Sequence, residues 1–249
     1  MFVILPFEEE MYREAGVDAE FLGHPFIEMV HPTRTREESF EKFALDSNIK
    51  TVGLLPGSRM NEVTSLLDEM LHAAEKIKNE LGSCQFLLPV AESIDTAFLQ
   101  QKLGSNLLDI KLVQGETYDV MNTCDTLIIA SGSATLEAGI IGCPMVIVYK
   151  LSPLTYWLAL MLINTPYYGL VNIVAGEGVA PELIQGKANA DNIAAETLKF
   201  LKNPEHCQEV RDRLLLVRKN LGSPGVMKAV ASSMADSLSK ITPHEKISL

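Results

Sequence analysis

The chain has 249 residues, of which 47% are hydrophobic, so it is long enough to build one large domain with a real core. Its formal net charge of -11 at pH 7 argues against nucleic acid or an anionic membrane as the main partner of its surface. Its four cysteines lie far apart without a Cys-x-x-Cys pair, so we interpret them as reduced, structural residues of a cytoplasmic protein and predict no metal site.

The first part of the chain has the pattern of a domain fragment. Residues 2–7 are predicted to form a buried strand, and residues 8–15 a helix. Because a buried strand is an unusual first element for an α/β domain, we interpret residues 1–30 as the remnant of an amino-terminal domain. The polar segment 31–48 is predicted to be a linker. The main domain is expected over residues 49–241, and the tail 242–249 is expected to be frayed.

From Lys50 onward, predicted strands alternate with predicted helices. Strands are predicted at residues 51–56, 85–90, 107–114, 126–130 and 145–149, and helices at 63–81, 93–103, 117–123 and 133–142, with three further helices at 191–201, 204–221 and 224–239. This alternation predicts an α/β fold with right-handed βαβ units and a doubly wound parallel sheet, followed by a helical C-terminus. Ligands bind such sheets at the carboxyl ends of the strands.

Two turns of small residues follow predicted strands and therefore lie at that edge. They are Gly57-Ser58-Arg59, and Ser131-Gly132-Ser133, in which Ser133 is the predicted N-cap of the next helix. Unpaired N–H groups at a helix N-terminus favour a phosphate or diphosphate. Arg59 has two interpretations: it holds a phosphate through two parallel hydrogen bonds, or it only forms a surface ion pair with a neighbour such as Glu62.

Glu137 follows the second turn and also has two interpretations. With Ser133 as N-cap, the third helical position is Leu136, so the capping box is not formed. A glutamate in the first turn of a helix is favoured by the macrodipole. The alternative is that its carboxylate accepts hydrogen bonds from a pair of sugar hydroxyls beside the phosphates.

Two further segments leave alternatives open. Residues 153–163 are apolar on nearly all sides and include Trp157, so they are either buried in the protein or packed on a partner subunit or a membrane interface. They are too short for the roughly 20 residues that span a bilayer. In residues 169–185, apolar pieces are broken by glycines, and Pro181 is predicted to open a small helix. Asn172 either satisfies local backbone groups or reaches a sugar.

Together, the two turns with a glutamate and an asparagine for hydroxyls predict a site for a nucleotide diphosphate. The Walker and Gly-x-Gly-x-x-Gly signatures are missing from this sequence, which disfavours nucleoside triphosphatases and dinucleotide enzymes. The sequence resembles the lipid-A-disaccharide synthase family, which consists of inverting glycosyltransferases of the two-domain GT-B type. The matching motifs run in family order along nearly the whole chain: Ile4-Leu-Pro-Phe-Glu8, Phe21-Leu-Gly-His-Pro25, Leu54-Leu-Pro-Gly-Ser-Arg59 with Glu62, Ala130-Ser-Gly-Ser-Ala-Thr-Leu-Glu137, Cys143-Pro-Met-Val146, Tyr156-Trp157, Asn172 and Pro181-Glu-Leu-Ile-Gln185.

The resemblance implies a reaction and a site. Such enzymes transfer 2,3-diacylglucosamine from UDP-2,3-diacylglucosamine to 2,3-diacylglucosamine 1-phosphate, which yields UDP and the lipid A disaccharide, and they need no cofactor. The Rossmann-like carboxyl-terminal half binds the UDP-sugar, with Glu137 on the ribose and Arg59 neutralising the departing UDP. The residues implied in donor binding are Gly57, Ser58, Arg59, Ser131, Gly132, Ser133, Thr135, Glu137, Asn172 and Gln185.

Some features depart from the family pattern. We expect the chain to lack most of the amino-terminal domain, including the acceptor site and the catalytic base, so that alone it binds UDP but transfers no sugar. Val171 stands where the family usually has proline, which predicts a less rigid loop.

Further partners and other functions stay open. Besides donor and acceptor, candidate partners are the inner-membrane surface, which would make the protein peripheral, and an amino-terminal half or a second copy of this chain. The alternative functions are another UDP-sugar enzyme of this fold, such as a UDP-N-acetylglucosamine epimerase, and a non-catalytic nucleotide-binding or interaction module.

Overall fold

The computed structural model describes residues 1–104, 108–151 and 166–241. The predicted helix at 153–163 and the predicted tail at 242–249 lie outside these residues. In chain order the described elements are β1 (Phe2–Val3), α1 (Pro6–Glu14), β2 (Glu20–Phe21), α2 (Phe26–Met29), α3 (Arg36–Lys42), β3 (Thr51–Leu55), α4 (Met60–Leu81), β4 (Gln85–Val90), α5 (Thr96–Leu103), β5 (Ile110–Gln114), α6 (Thr117–Thr123), β6 (Thr126–Ala130), α7 (Ser133–Ile141), β7 (Met145–Tyr149), α8 (Leu170–Ala175), β8 (Glu182–Ile184), a 3₁₀ turn (Gln185–Lys187), α9 (Ala190–Lys202), α10 (Pro204–Asn220) and α11 (Val226–Ile241).

The chain divides into two compact units. The smaller unit joins Met1–Met29 to the chain from Arg218 onward, and the larger unit is Val30–Val217. In the smaller unit, β1 and β2 pair in parallel. The carboxylate of Glu28, after β2, accepts the backbone N–H of Gly225 at 2.8 Å, just before α11 begins. The smaller unit is therefore built from both ends of the described chain.

The strand predicted over residues 2–7 is wrong in its length. Helix α1 begins at Pro6, whose fixed backbone angle and missing N–H suit the first helical position. The carboxylate of Glu8 accepts the N–H of Leu5 at 2.9 Å, which satisfies one of the free donors at the helix start. Local helix-start chemistry therefore ends the strand after Val3.

The larger unit contains a six-stranded sheet in the order β5-β4-β3-β6-β7-β8, with every neighbouring pair parallel. Strands β3 and β6 are buried along their whole length, as expected of a sheet covered on both faces. Within the sheet, β4 lies on one side of β3, whereas β7 lies on the opposite side of β6. Right-handed crossovers therefore place α4, which joins β3 to β4, and α7, which joins β6 to β7, on opposite faces of the sheet. The structure confirms the predicted α/β fold with a doubly wound parallel sheet.

Helix α4 shows how the sequence pattern determines packing. The helical spacing predicts eight apolar positions on one face, and seven of them are buried: Val63, Leu66, Leu67, Met70, Leu71, Ala74 and Ile77. The eighth, Leu81, is the last residue of the helix and is only partly buried. The helix ends at Gly82, which has a φ of +75°. It packs against α9, the first of the predicted C-terminal helices.

Three other differences from the sequence predictions arise from tertiary contacts. Segment 31–48, interpreted as a linker, contains α3, and the N–H of Thr33 donates to the buried Asp119 of α6 at 2.8 Å. The helix predicted after Pro181 is wrong, because the Pro181 carbonyl accepts the N–H of Ile147 and the chain continues as β8. The predicted loop around Val171 is wrong as well, because this residue lies buried within helix α8.

Candidate functional site

A cavity of about 600 Å³ opens at the carboxyl ends of β3 and β6. The strand order reverses between these two strands, and open α/β sheets bind ligands at such a switch point. The volume lies within the range of about 300–1,000 Å³ that is usual for small-molecule sites. The lining residues are Leu55, Gly57, Ser58, Arg59, Glu62, Pro89, Ala91, Thr117, Ala130, Ser131, Gly132, Ser133, Ala134 and Glu137.

The first predicted turn forms one wall of the cavity, and the side chain of Glu62 bonds to two of its residues. The Glu62 carboxylate accepts the N–H of Ser58 at 3.2 Å and pairs with Nη1 of Arg59 at 2.8 Å. Gly57 has a φ of +118°, and a Cβ at this position would collide with the Glu62 side chain, so glycine is required for two reasons. The surface ion pair of Arg59 therefore exists, and the same guanidinium also lines the cavity with its side chain 77% exposed.

The second predicted turn forms the facing wall. Ser133 is the first helical residue and Gly132 is the N-cap, so the prediction that Ser133 is the N-cap is wrong. The reason is that the Gly132 carbonyl accepts both the N–H of Thr135 at 3.2 Å and its hydroxyl at 2.8 Å. Thr135 is fully buried and supports the turn without lining the cavity.

Glu137 projects into the cavity from α7. With Gly132 as N-cap it occupies the fifth helical position, so the first-turn interpretation of this residue is wrong. Within the described part of the chain its carboxylate has no hydrogen-bond or ion-pair partner. Burial raises its pKa, and burial together with the charge of Glu137 raises the pKa of the nearby Tyr118. The Glu137 carboxylate can therefore accept hydrogen bonds from a ligand in a partly desolvated part of the cavity.

The charged groups of the cavity do not by themselves favour an anion. Arg59 is the cation among the lining residues, whereas Glu62 and Glu137 are carboxylates. Attraction for a phosphate group would therefore come from Arg59 together with the N-termini of α4 and α7, whose first N–H groups have no helical partner.

Asn172 and Gln185 do not line this cavity. Asn172 is fully buried, and both ends of its amide bond to residues of its own unit. The Gln185 amide accepts the N–H of Leu151 at 2.9 Å and donates to its carbonyl at 3.1 Å, so it fastens the chain that follows β7. The structure thus brings seven predicted residues together and places Thr135, Asn172 and Gln185 outside the lining. Their contact with a donor stays a prediction.

The sequence reasoning missed part of the lining. Pro89 is the last residue but one of β4, Ala91 follows this strand, and Thr117 comes shortly after β5. All three lie at the carboxyl edge of the same sheet, so the rule that identified the two turns could also have identified them.

Metal-binding clusters and membrane-spanning helices are missing from the described ranges. There, no group of three or more His, Cys, Asp or Glu side chains is placed to hold a metal ion. No helix in the same ranges combines the length and apolar character that crossing a bilayer requires. The four cysteines are free, and burial raises the pKa of Cys84 and of Cys143 to about 12. These two thiols stay protonated at neutral pH and are poor nucleophiles.

Residues 1–234 match the sequence profile of a family described as lipid-A-disaccharide synthetase. The chain belongs to this family. It is 44% identical over 232 residues to the lipid-A-disaccharide synthase of Syntrophus aciditrophicus, covering 93% of this chain and 61% of that protein. It is 42% identical over 240 residues to the synthase of Geobacter sulfurreducens, covering 96% and 62%. The chain therefore spans less than two thirds of the length of these synthases.

Solved structures share the fold of this synthetase family member. The UDP-N-acetylglucosamine 2-epimerase of Neisseria meningitidis, solved with UDP-GlcNAc, superposes with a TM-score of 0.65 at 13% identity, covering 94% of this chain and 61% of the epimerase. WaaG, a glycosyltransferase involved in lipopolysaccharide biosynthesis, gives 0.54 at 13% identity, covering 86% and 55%. The Rossmann-like fold predicted for the donor half is thereby confirmed.

Proposed function

We propose that this chain forms the UDP-sugar donor-binding part of a lipid-A-disaccharide synthase. The observation that carries the proposal is the meeting of two turns, Gly57–Arg59 and Ser131–Ser133, around one cavity at the switch point of the sheet. Family membership supplies the substrate class, since the matched relatives are named lipid-A-disaccharide synthases.

Each group around the cavity has a part in this proposal. The diphosphate of UDP lies between the two turns and accepts hydrogen bonds from their N–H groups. Arg59 exchanges Glu62 for a phosphate oxygen and stabilises the negative charge that grows on UDP as it departs. Glu137 accepts hydrogen bonds from the ribose hydroxyls, which its lack of a partner in the described structure allows. Catalysis here is leaving-group stabilisation, without a metal or cofactor.

The substrates proposed for the whole enzyme are UDP-2,3-diacylglucosamine as donor and 2,3-diacylglucosamine 1-phosphate as acceptor. The hexosyl transfer yields the lipid A disaccharide 1-phosphate and UDP. Because both substrates carry fatty acyl chains, we place the reaction on the cytoplasmic surface of the inner membrane, with the protein attached peripherally. A net charge of -11 leaves attachment to apolar contacts, so flotation of the chain with zwitterionic phospholipid vesicles would support this location, and its absence from the floated fraction would contradict it.

A UDP-sugar epimerase remains the second candidate. The superposition on an epimerase supports the shared fold alone, whereas sequence identity of 40–44% to synthases favours the transferase. The two functions differ in donor preference. A synthase donor site should prefer UDP-diacylglucosamine to UDP-N-acetylglucosamine in a competition for the same cavity, and the reverse order would favour the epimerase.

Calorimetric titration with uridine, UMP and UDP tests the proposal. UDP should bind at one site and at least tenfold more tightly than UMP, because the second phosphate adds charge-assisted hydrogen bonds of about 1.5–3 kcal/mol. UDP binding no tighter than that of uridine would contradict a diphosphate site and would favour a non-catalytic interaction module. Binding is measured without turnover, so the result does not depend on acceptor or base.

A further inference from the structure

A chain of hydrogen bonds connects the cavity to the interior of the larger unit. The hydroxyl of Ser131, in the cavity wall, donates to the carbonyl of Tyr168 at 3.1 Å. The N–H groups of Tyr168 and Gly169 donate to the two carboxylate oxygens of Glu182 at 2.8 and 2.9 Å. One oxygen of Glu182 also accepts from the Asn172 amide at 2.8 Å. A single carboxylate thus joins three donors.

The Asn172 side chain, at the end of this series of hydrogen bonds, has no hydrogen-bonding capacity left. The Asn172 amide nitrogen donates to Glu182 and to the Ala180 carbonyl, both at 2.8 Å, and its oxygen accepts the N–H groups of Val179 and Ala180, both at 2.9 Å. An asparagine side chain has two amide hydrogens and two carbonyl lone pairs, so all four are used. Asn172 could bind a sugar only by breaking one of these buried bonds.

Glu182 is held in place by the sheet. It lies in β8 opposite Ile147 of β7, and the residue before it accepts the N–H of Ile147 at 2.9 Å. Gly169 packs so closely here that a Cβ would come within 2.5 Å of the Ile147 side chain and 3.2 Å of Glu182. The Tyr168–Gly169 peptide is therefore fixed on a rigid strand pair.

The direction of the first hydrogen bond has a chemical consequence. The Ser131 hydroxyl has one hydrogen, and this hydrogen points to Tyr168. Its oxygen therefore offers only lone pairs to a ligand. These suit a hydroxyl or N–H donor, such as those of the uridine in UDP and in a UDP-sugar, and not a phosphate oxygen. The phosphate contacts of this wall are then left to backbone N–H groups.

We propose that Glu182 and Asn172 are positioning residues of the donor site, which hold the Tyr168–Gly169 peptide so that Ser131 presents an acceptor to the bound nucleotide sugar. The inference rests on the proposed function and adds two residues that act on the ligand through Ser131. Exchange of Glu182 for glutamine removes one acceptor and places an amide N–H against a backbone N–H, so the Ser131 hydroxyl loses its fixed direction.

A double-mutant cycle on UDP affinity tests the inference, using wild type, Glu182→Gln, Ser131→Ala and the double variant. Glu182→Gln should weaken UDP binding about tenfold, which corresponds to about 1.4 kcal/mol. In the Ser131→Ala background the same change should weaken it less than about twofold, because the group through which Glu182 acts is then gone. Glu196→Gln, which changes another half-buried glutamate of this unit outside the cavity, is the control and should bind UDP as wild type does.

A second measurement covers the case in which Glu182→Gln folds poorly. Glu182→Asp keeps the charge at shorter reach, and it should restore part of the affinity and part of the slow hydrogen exchange at the Tyr168 and Gly169 amides. Equal losses in both Ser131 backgrounds would overturn the positioning role and leave the proposed function standing. Failure of the wild-type chain to bind UDP would overturn the proposed function and this inference with it.

Discussion

Arg59 can change partners at little cost in stability. Its side chain is 77% exposed and its ion pair with Glu62 is a surface pair, so Arg59→Ala should change the free energy of unfolding by less than about 0.5 kcal/mol. The same change should lower UDP affinity by about tenfold or more, since a charge-assisted bond to phosphate is lost. Urea unfolding and calorimetry give the two quantities. Lys199→Ala, which removes a surface cation outside the cavity, is the control, and equal affinities of both variants would contradict the role of Arg59.

Glu137 should lower the stability of the folded chain while it contributes to UDP binding. Burial raises its pKa, so ionisation of this carboxyl destabilises the folded chain as the pH rises through the folded-state pKa. Glu137→Gln should therefore raise the melting temperature of the unliganded chain near neutral pH while weakening UDP binding. The gain should shrink as the pH is lowered and the wild-type carboxyl becomes protonated. Melting curves over a pH series check this, and a gain independent of pH would count against the buried charge.

At the scale of secondary structure elements, β3 and β6, whose carboxyl ends line the cavity, are closely packed with their surroundings. Gly53 lies in β3, where a Cβ would come within 2.6 Å of Leu127 on β6 and 3.1 Å of Cys124, which follows α6. Gly53→Ala should therefore lower the free energy of unfolding by about 1–3 kcal/mol through overpacking. Gly186→Ala is the matched control, because nothing lies within 4 Å of a Cβ at that position. Equal urea midpoints for the two variants would contradict the tight spacing.

The elements also show how far sequence reasoning reaches. The order of strands and helices from β3 to β7, the apolar face of α4 and the two turns at the carboxyl edge follow from local periodicity and from one topological rule, and the structure confirms them. The helix predicted at Pro181 failed because pairing of β8 with β7 is a long-range contact that overrides local preference. That same pairing brings Glu182 to Asn172, so the burial of Asn172 could not be read from its own neighbourhood in the sequence.

At the scale of the whole molecule, the cavity belongs to one compact unit. Its lining residues all lie in Val30–Val217, whereas the other unit consists of the N-terminal segment and the end of the described chain. UDP should therefore slow hydrogen exchange in peptides covering residues 51–62 and 126–141. Peptides covering residues 1–29 and 226–238 should exchange unchanged. Ligand-induced stabilisation grows with UDP concentration above the dissociation constant, so a titration at fixed exchange time distinguishes it from drift. Uniform slowing over all four regions would contradict a site confined to one unit.

Under the proposed function, the contacts of Glu62 make diphosphate binding an exchange of one anion for another. Its carboxylate bonds to the Ser58 N–H and the Arg59 guanidinium, the donors that a phosphate would take. Glu62 thus acts as an internal counter-ion that holds the conformation of the turn. A diphosphate that binds as proposed would replace this carboxylate at a turn that is already ordered. The same carboxylate can pair with Arg59 again once the nucleotide departs. Four consecutive residues therefore include both the cation that holds the product and the carboxylate that competes with the product for that cation.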